Sequence, residues 1–398
     1  MIEKVHPSIS DRGVGPVLFW SAFLGSSWTW IIGMVLPVLL VNDFGFLGWV
    51  AFAVPNVIGA AAMGFVLPTA AVSRRVTGMH RDMCLRFSEV TITFHFFVIS
   101  WLYFKLFGTV GVVAPCVLAV VLWVMVLRRP GTVIATLAVT IPCIVVAIVG
   151  MSIRGAWTQL GEPHRLDMTD WILFIPASVL GFALCPYLDL TFHRARQSTS
   201  RNAGKLAFLF GFGIVFALFI TLSLAYSGIL RPVLYEGVGL DLPGGWWTIL
   251  FLQLTLQAGF TVAIHAREIS MRMKRSGIVR VFFLAAGGLL LGWIASGQMN
   301  EVFGKTVAEV GYRTFLLAYG LPFPAYVWLC MIPTRRRVVA RGKVIVWAIT
   351  VLAGFPVVFG YFIGNQAWWI LYLLGILVIA RVVVELLPAV KEREPVSV

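Results

Sequence analysis

Ionisable residues are scarce within the long apolar stretches of this sequence, and those few are where chemistry could occur. Asp189 closes the stretch WILFIPASVLGFALCPYLDL, and His193 follows four residues on, so a helix would carry both on one face. A carboxyl and an imidazole at that spacing could relay a proton or an ion. They could equally form a local pair, with Arg194 and Arg196 beside them. His265 lies one turn past Thr261, where a protonated imidazole could stand in for a bound cation; the plainer reading is a histidine bonded to a neighbouring helix. His95, six residues after Glu89, could face a cavity and touch a solute, or be an ordinary core histidine. Trp28, Trp30 and Trp101 could wall a cavity by stacking or cation–π contact, and Trp28 stands out because it adjoins a helix interruption. Arg381 and Glu385, also four apart, read as an interfacial salt bridge.

No catalytic constellation accompanies these residues. The sequence holds no Gly-rich phosphate loop, no HExxH and no Asp-rich pair, so an enzyme is not expected, and ATP-driven work would need a partner. The five cysteines (Cys84, Cys116, Cys143, Cys185 and Cys330) form no CxxC and read as small apolar fillers, with neither a disulfide framework nor a zinc site.

The elements that must position these residues follow from composition. Of 398 residues 60% are hydrophobic and 12% charged, and the mean hydropathy is +0.92. Such a chain has too little polar surface for water, and its natural solvent is a bilayer. Crossing the hydrocarbon takes about 20 mostly apolar residues. Twelve such runs occur, at 16–41, 46–70, 87–107, 109–127, 131–151, 171–191, 204–230, 246–266, 277–297, 309–332, 343–364 and 366–388. We number them spans 1 to 12. The first run is too long for a signal-peptide core and is expected to be retained.

Charge supplies the orientation. Twenty of the 31 Lys and Arg residues fall in the even-numbered connections, six in the odd-numbered ones and five near the chain ends. That asymmetry predicts cytoplasmic termini in an inner membrane and an even number of spans. It also accounts for the +14 net charge as topology and contact with anionic lipids, so no nucleic acid partner is expected. Asp43, Glu162, Asp167, Asp170, Glu236, Asp241 and Glu301 fall on the outer side.

Two spans are interrupted. In span 1, FWSAFLGSSWTWIIGMVLP, Gly25, Ser26 and Ser27 sit near the middle; span 6 is punctuated by Pro176, Gly181 and Pro186. Gly costs about 1 kcal/mol and Pro about 3 kcal/mol relative to Ala in a helix. Breaks survive in lipid where the freed backbone lines a cavity, although small residues also serve ordinary helix packing. Spans 1 and 6 each open a set of five. An odd set inverts its successor, and matched breaks in inverted halves point to a transporter's binding site.

With these features the chain resembles the leucine-transporter fold of the amino acid–polyamine–organocation superfamily, and locally it is most similar to sodium/solute symporters. The stretch GSSWTWIIGMVLPVLLVNDFGFLGWVAFAVPNVIGAAAMGFVL resembles their first two core helices, and GFALCPYLDLTFHRARQSTSRNAGKLAFLFGFG their broken helix, basic loop and following helix. The resemblance spans residues 16–332 in pattern. It implies two five-helix repeats, 16–151 and 171–332, with two extra helices at 343–388. It also implies a sodium site between spans 1 and 8, where Ala258 and Thr261 match the pattern, Val262 replaces the second hydroxyl, and Gly25 and Ser26 would contribute from span 1.

The expectation is therefore an all-α, single-domain membrane carrier for a small solute, working by alternating access. Its solute site would comprise Gly25, Ser26, Ser27, Trp28, His95, Gly181 and Pro186. Its coupling site, for sodium or a proton, would comprise Ala258, Thr261, His265 and Asp189. The other readings are a lipid-head-group enzyme using Asp189 and His193 as acid and base, and a transporter-like sensor. Composition does not fix the oligomeric state.

Overall fold

The computed structural model describes residues 14–153, 168–235, 245–298, 301–335, 338–364 and 366–389. Of the charges used above, Lys4, Arg12, Arg154, Glu162, Arg165, Asp167, Glu236, Asp241, Arg336, Arg337, Lys391 and Arg393 lie outside the described residues.

The chain is all-α. Ten helices among the described residues are long and apolar enough to cross a membrane, and the bent pair Val14–Trp28 and Ile31–Phe44 makes an eleventh. One of the ten, Arg81–Val126, runs for 46 residues. Straight, it would reach about 69 Å, more than twice the hydrocarbon thickness. It does not run straight, because Gly108 has φ 62° and ψ −149°, nearly the same as Gly45 between spans 1 and 2. At both places a second glycine follows three residues later. A Cβ on Gly48 or Gly111 would strike the carbonyl oxygen eight positions earlier, Leu40 or Tyr103. Only chain folding straight back on itself brings those atoms together. The same fold-back joins spans 8 and 9, with Lys274 at φ 54° and Gly277 in the close position. Division at Gly108 brings the total to the twelve spans expected.

Packing distinguishes core from periphery. In span 8, Trp246–Met273, 83% of the most apolar window is buried, against 17% in span 11, Ala340–Phe362. Spans 9, 11 and 12 turn Phe283, Trp293, Leu352, Ile379 and Leu386 outward. Such a belt fits acyl chains and not water, so the protein is membrane-embedded. Span 1 lies along span 7 (Arg201–Ala225) and span 2 (Phe46–Val66) along span 6. Span 3 lies along span 9 (Arg275–Ser296), and span 8 along span 4. Each pairing turns into its mate when spans 1–5 are exchanged for spans 6–10.

The connections gather at two ends, as the charge count requires. At the basic end, Arg81 donates to the Arg272 carbonyl (2.8 Å), Arg267 to that of Val126 (2.8 Å), and Arg194 to the Thr132 hydroxyl (2.9 Å). His80 bonds the Tyr326 hydroxyl there (3.1 Å); burial and the nearby Lys343 ammonium hold its imidazole below the usual histidine range. At the far end, Tyr226 donates to the Met34 carbonyl (2.7 Å), Trp171 to that of Leu47 (2.8 Å) and Lys305 to that of Ile363 (3.0 Å).

Candidate functional site

Span 1 breaks four residues later than its glycine suggested. The helix runs unbroken through Gly25, Ser26 and Ser27 to Trp28, and resumes at Ile31 with a bend of 56°. Side chains cause the break. The Thr29 hydroxyl donates to the Gly25 carbonyl (2.8 Å), and the Trp30 indole donates to that of Ser27. The Trp30 amide also turns back to the Trp28 carbonyl (2.8 Å), so the next helical turn loses its register. Gly25 serves packing instead, because a Cβ there would lie 2.5 Å from Val215 and 2.9 Å from the Gly211 carbonyl of span 7. Ser26 bonds Thr140 of span 5 (2.7 Å), and Ser27 bonds the Leu24 carbonyl (3.0 Å). Gly25 and Ser26 therefore tie span 1 to spans 7 and 5, while Ser27 bonds within its own helix.

Span 6 breaks at Pro186, as expected, while Pro176 and Gly181 stay inside the helix Met168–Leu184. A 3₁₀ turn over Cys185–Leu188 leads to Asp189 in extended conformation, which caps the short helix Leu190–Gln197. Asp189 Oδ1 accepts both the Thr191 amide and the Thr191 hydroxyl, each at 2.7 Å.

The two breaks meet. Trp28 packs on Phe192 just past the span 6 break, with ring centres 4.9 Å apart, and its indole donates to Asn56 of span 2 (2.5 Å). Trp30, one of the two residues in the break, stands at the centre. Its ring lies edge-on to His265 (5.5 Å), His95 (6.3 Å) and Tyr319 (5.7 Å). On one side of Trp30 is a narrow cleft of about 50 Å³, lined by Trp28, Asn56, Phe174, Ser178, Gly181, Phe182, Cys185, Leu316 and Tyr319. It continues past Leu36 and Phe362 towards Asp43 and Arg313 at the far end. Trp28 and Gly181 therefore line the cleft. Pro186 shapes the turn behind it, and His95 lies beyond Trp30.

On the other side of Trp30 is a cluster of buried polar side chains. His95 Nδ1 bonds the Thr91 carbonyl (2.7 Å), and His265 Nδ1 bonds the Ser88 hydroxyl (3.0 Å). The remaining atoms His95 Nε2, His265 Nε2, Asp189 Oδ2 and Thr261 Oγ1 are buried with no hydrogen-bond partner. Asp189 Oδ2 and His265 Nε2 face each other at 4.0 Å. Asp189 is not paired with His193: the latter's Nδ1 bonds Ser73 (2.8 Å) and its Nε2 the Tyr187 carbonyl (2.9 Å). Tertiary packing has replaced the local i, i+4 pair with a partner from another span. Arg196 likewise leaves Asp189 alone and donates to the Leu67 carbonyl (2.6 Å) and that of Pro68. Arg381 and Glu385 do pair, at 2.8 Å.

The oxygens that the resemblance implies for a sodium site between spans 1 and 8 have the following partners. Gly25 is helical with its carbonyl taken by Thr29, Ser26 is bonded to Thr140, and Ala258 and Val262 bring no side-chain oxygen. Thr261 Oγ1 stands alone.

Sequence reasoning missed two features. Glu268, which stands between Arg267 and Arg272 in a basic connection, is a buried carboxylate held by Arg267 (2.8 Å), Arg272 and Arg194 (3.9 Å) at the basic end. Gln253 of span 8 is buried with neither side-chain polar atom bonded; its signal was an amide within an apolar run. No protein-family model matches this sequence, and comparison with curated proteins finds no match.

Proposed function

We propose that the chain is a secondary transporter of a small solute, working by alternating access on the plan of the leucine-transporter fold. The supporting observation is the meeting of the two broken spans at Trp30, between a cleft extending toward Asp43 and Arg313 and the Glu268 charge cluster at the basic end. The exchanging helix pairs are those an inverted repeat would give. By the positive-inside rule the basic end is cytoplasmic, in an inner membrane, and the cleft extends outward. Trp28, Asn56, Ser178, Gly181 and Tyr319 would contact the solute. The cleft lining carries aromatic rings and no charged side chain, which favours a neutral solute or a delocalised cation over an anion.

The test is uptake into proteoliposomes of purified protein, across a broad solute panel, with imposed sodium or proton gradients. Gradient-dependent accumulation of at least one solute is expected. Flux that ignores the gradient, or none for any solute, contradicts the reading. The alternative of a lipid-head-group enzyme loses its motive, because Asp189 and His193 are held apart by separate partners.

A further inference from the structure

We propose that Asp189 and His265 form a binding site for a single proton, and that this proton, not sodium, is the coupling ion. The coupling half of the proposal rests on the transporter reading; the site itself does not.

The geometry carries the argument. Both side chains are fully buried, they come from different spans, and the atoms that face each other have no other partner. Their remaining atoms are committed, Asp189 Oδ1 to Thr191 and His265 Nδ1 to Ser88. The free oxygen and free nitrogen are therefore aimed across a gap that a small side-chain rotation closes to hydrogen-bond length. Without a further proton the pair carries one negative charge away from water, which is costly unless a cation faces it.

Among the described residues no facing cation supplies that compensation. Among the described residues, the charged and titratable groups facing Asp189 are Cys84 of span 3, Tyr319 of span 10 and Glu268 of span 8, with Cys185 beside Tyr319, His95 of span 3 beside His265, and His193 one turn on in span 6. Glu268 is itself an anion and already holds Arg194, Arg267 and Arg272. One proton on Asp189 Oδ2 makes the pair neutral and lets the carboxyl O–H donate to His265 Nε2, while His265 Nδ1–H donates to Ser88. A neutral pair suits a dry site better than an imidazolium beside a carboxylate.

A proton also fits the donor chemistry better than sodium does. One of the two ligating atoms is an imidazole nitrogen, which suits transition metals and is a poor ligand for a hard alkali ion. Loading and release require access, and the two routes are covered separately. Trp30 lies against His265 on the cleft side, and the Glu268 cluster covers the basic side.

Infrared difference spectroscopy of the purified full-length protein, between mildly acid and mildly alkaline pH, tests the site with the proton itself as probe. The expected result is one protonated-carboxyl C=O band that titrates as a single group and shifts in heavy water. Asp189→Asn, which can still cap the helix, should lose the band, and the remote Asp170→Asn should keep it. Adding sodium at fixed pH should leave the wild-type band unchanged. Retention of the band in Asp189→Asn, or its loss on adding sodium, overturns the proposal. If the band behaves as expected but no solute moves in the vesicle assay, the transporter reading falls and the proton site stands. If solute accumulates on a sodium gradient alone, the coupling assignment falls.

Discussion

The two ends of the bundle are closed by opposite arrangements of charge. At the basic end one buried carboxylate, Glu268, sits among three guanidiniums, those of Arg267, Arg272 and Arg194. At the far end one guanidinium, Arg313, sits between two carboxylates, Glu309 at 2.8 Å and Asp43 at 3.4 Å. The basic end therefore hangs on a single residue, since without Glu268 the cluster is three like charges in a confined space. The far end tolerates the loss of one carboxylate, because a paired guanidinium remains. The cleft lies on the side of the redundant cluster. The single-residue latch lies near the Asp189–His265 pair.

Glu268→Gln is the sharpest way to break this comparison. It should destabilise the protein by about 3–5 kcal/mol, the usual penalty for removing one partner of a buried charge cluster. Thermal denaturation in detergent reads this directly, and a small effect would mean that the arginines are solvated. The fold-backs separate the ends in the same way, with glycine at positive φ at the far end and lysine at the basic end. Gly108→Ala should cost about 1–3 kcal/mol through backbone strain. Asp43→Asn should cost about 1 kcal/mol or less, because Arg313 keeps Glu309. Lys274→Gly should gain about 0.5–1 kcal/mol by relieving a side chain at φ 54°. Equal losses from Asp43→Asn and Glu268→Gln would erase the distinction between the two ends.

The spans and their two-sided charge pattern were legible in the sequence because both follow from the bilayer: apolar run length sets the crossings, and arginine placement sets the ends. The span 6 break was legible because Pro186 lacks an amide proton. The span 1 break was misplaced because propensity marks Gly25, whereas the helix is ended by side-chain bonds from Thr29 and Trp30 to carbonyls behind them. Gly25 answers to a neighbour distant in sequence, Val215. The contact between Asp189 and His265 was hidden for the same reason. Both residues stood out as charges within spans, but sequence spacing offers only His193 as a partner, and the true neighbour arrives through the packing of span 8 on the span 6 break. Glu268 was obscured by its own surroundings, since a carboxylate flanked by arginines reads as part of a basic connection.

The central claim is that a cleft at the meeting of the two breaks opens to one face at a time. The direct measurement places Gly181→Cys in a background where Cys84, Cys116, Cys143, Cys185 and Cys330, all free thiols, are replaced by alanine. A membrane-impermeant maleimide is then applied to oriented vesicles from either face. The account predicts labelling from the face opposite the arginine-rich end, and a move of labelling to the arginine-rich face when Glu268→Gln is added. Equal labelling from both faces in a single background, or labelling confined to the arginine-rich face before Glu268 is changed, would contradict it.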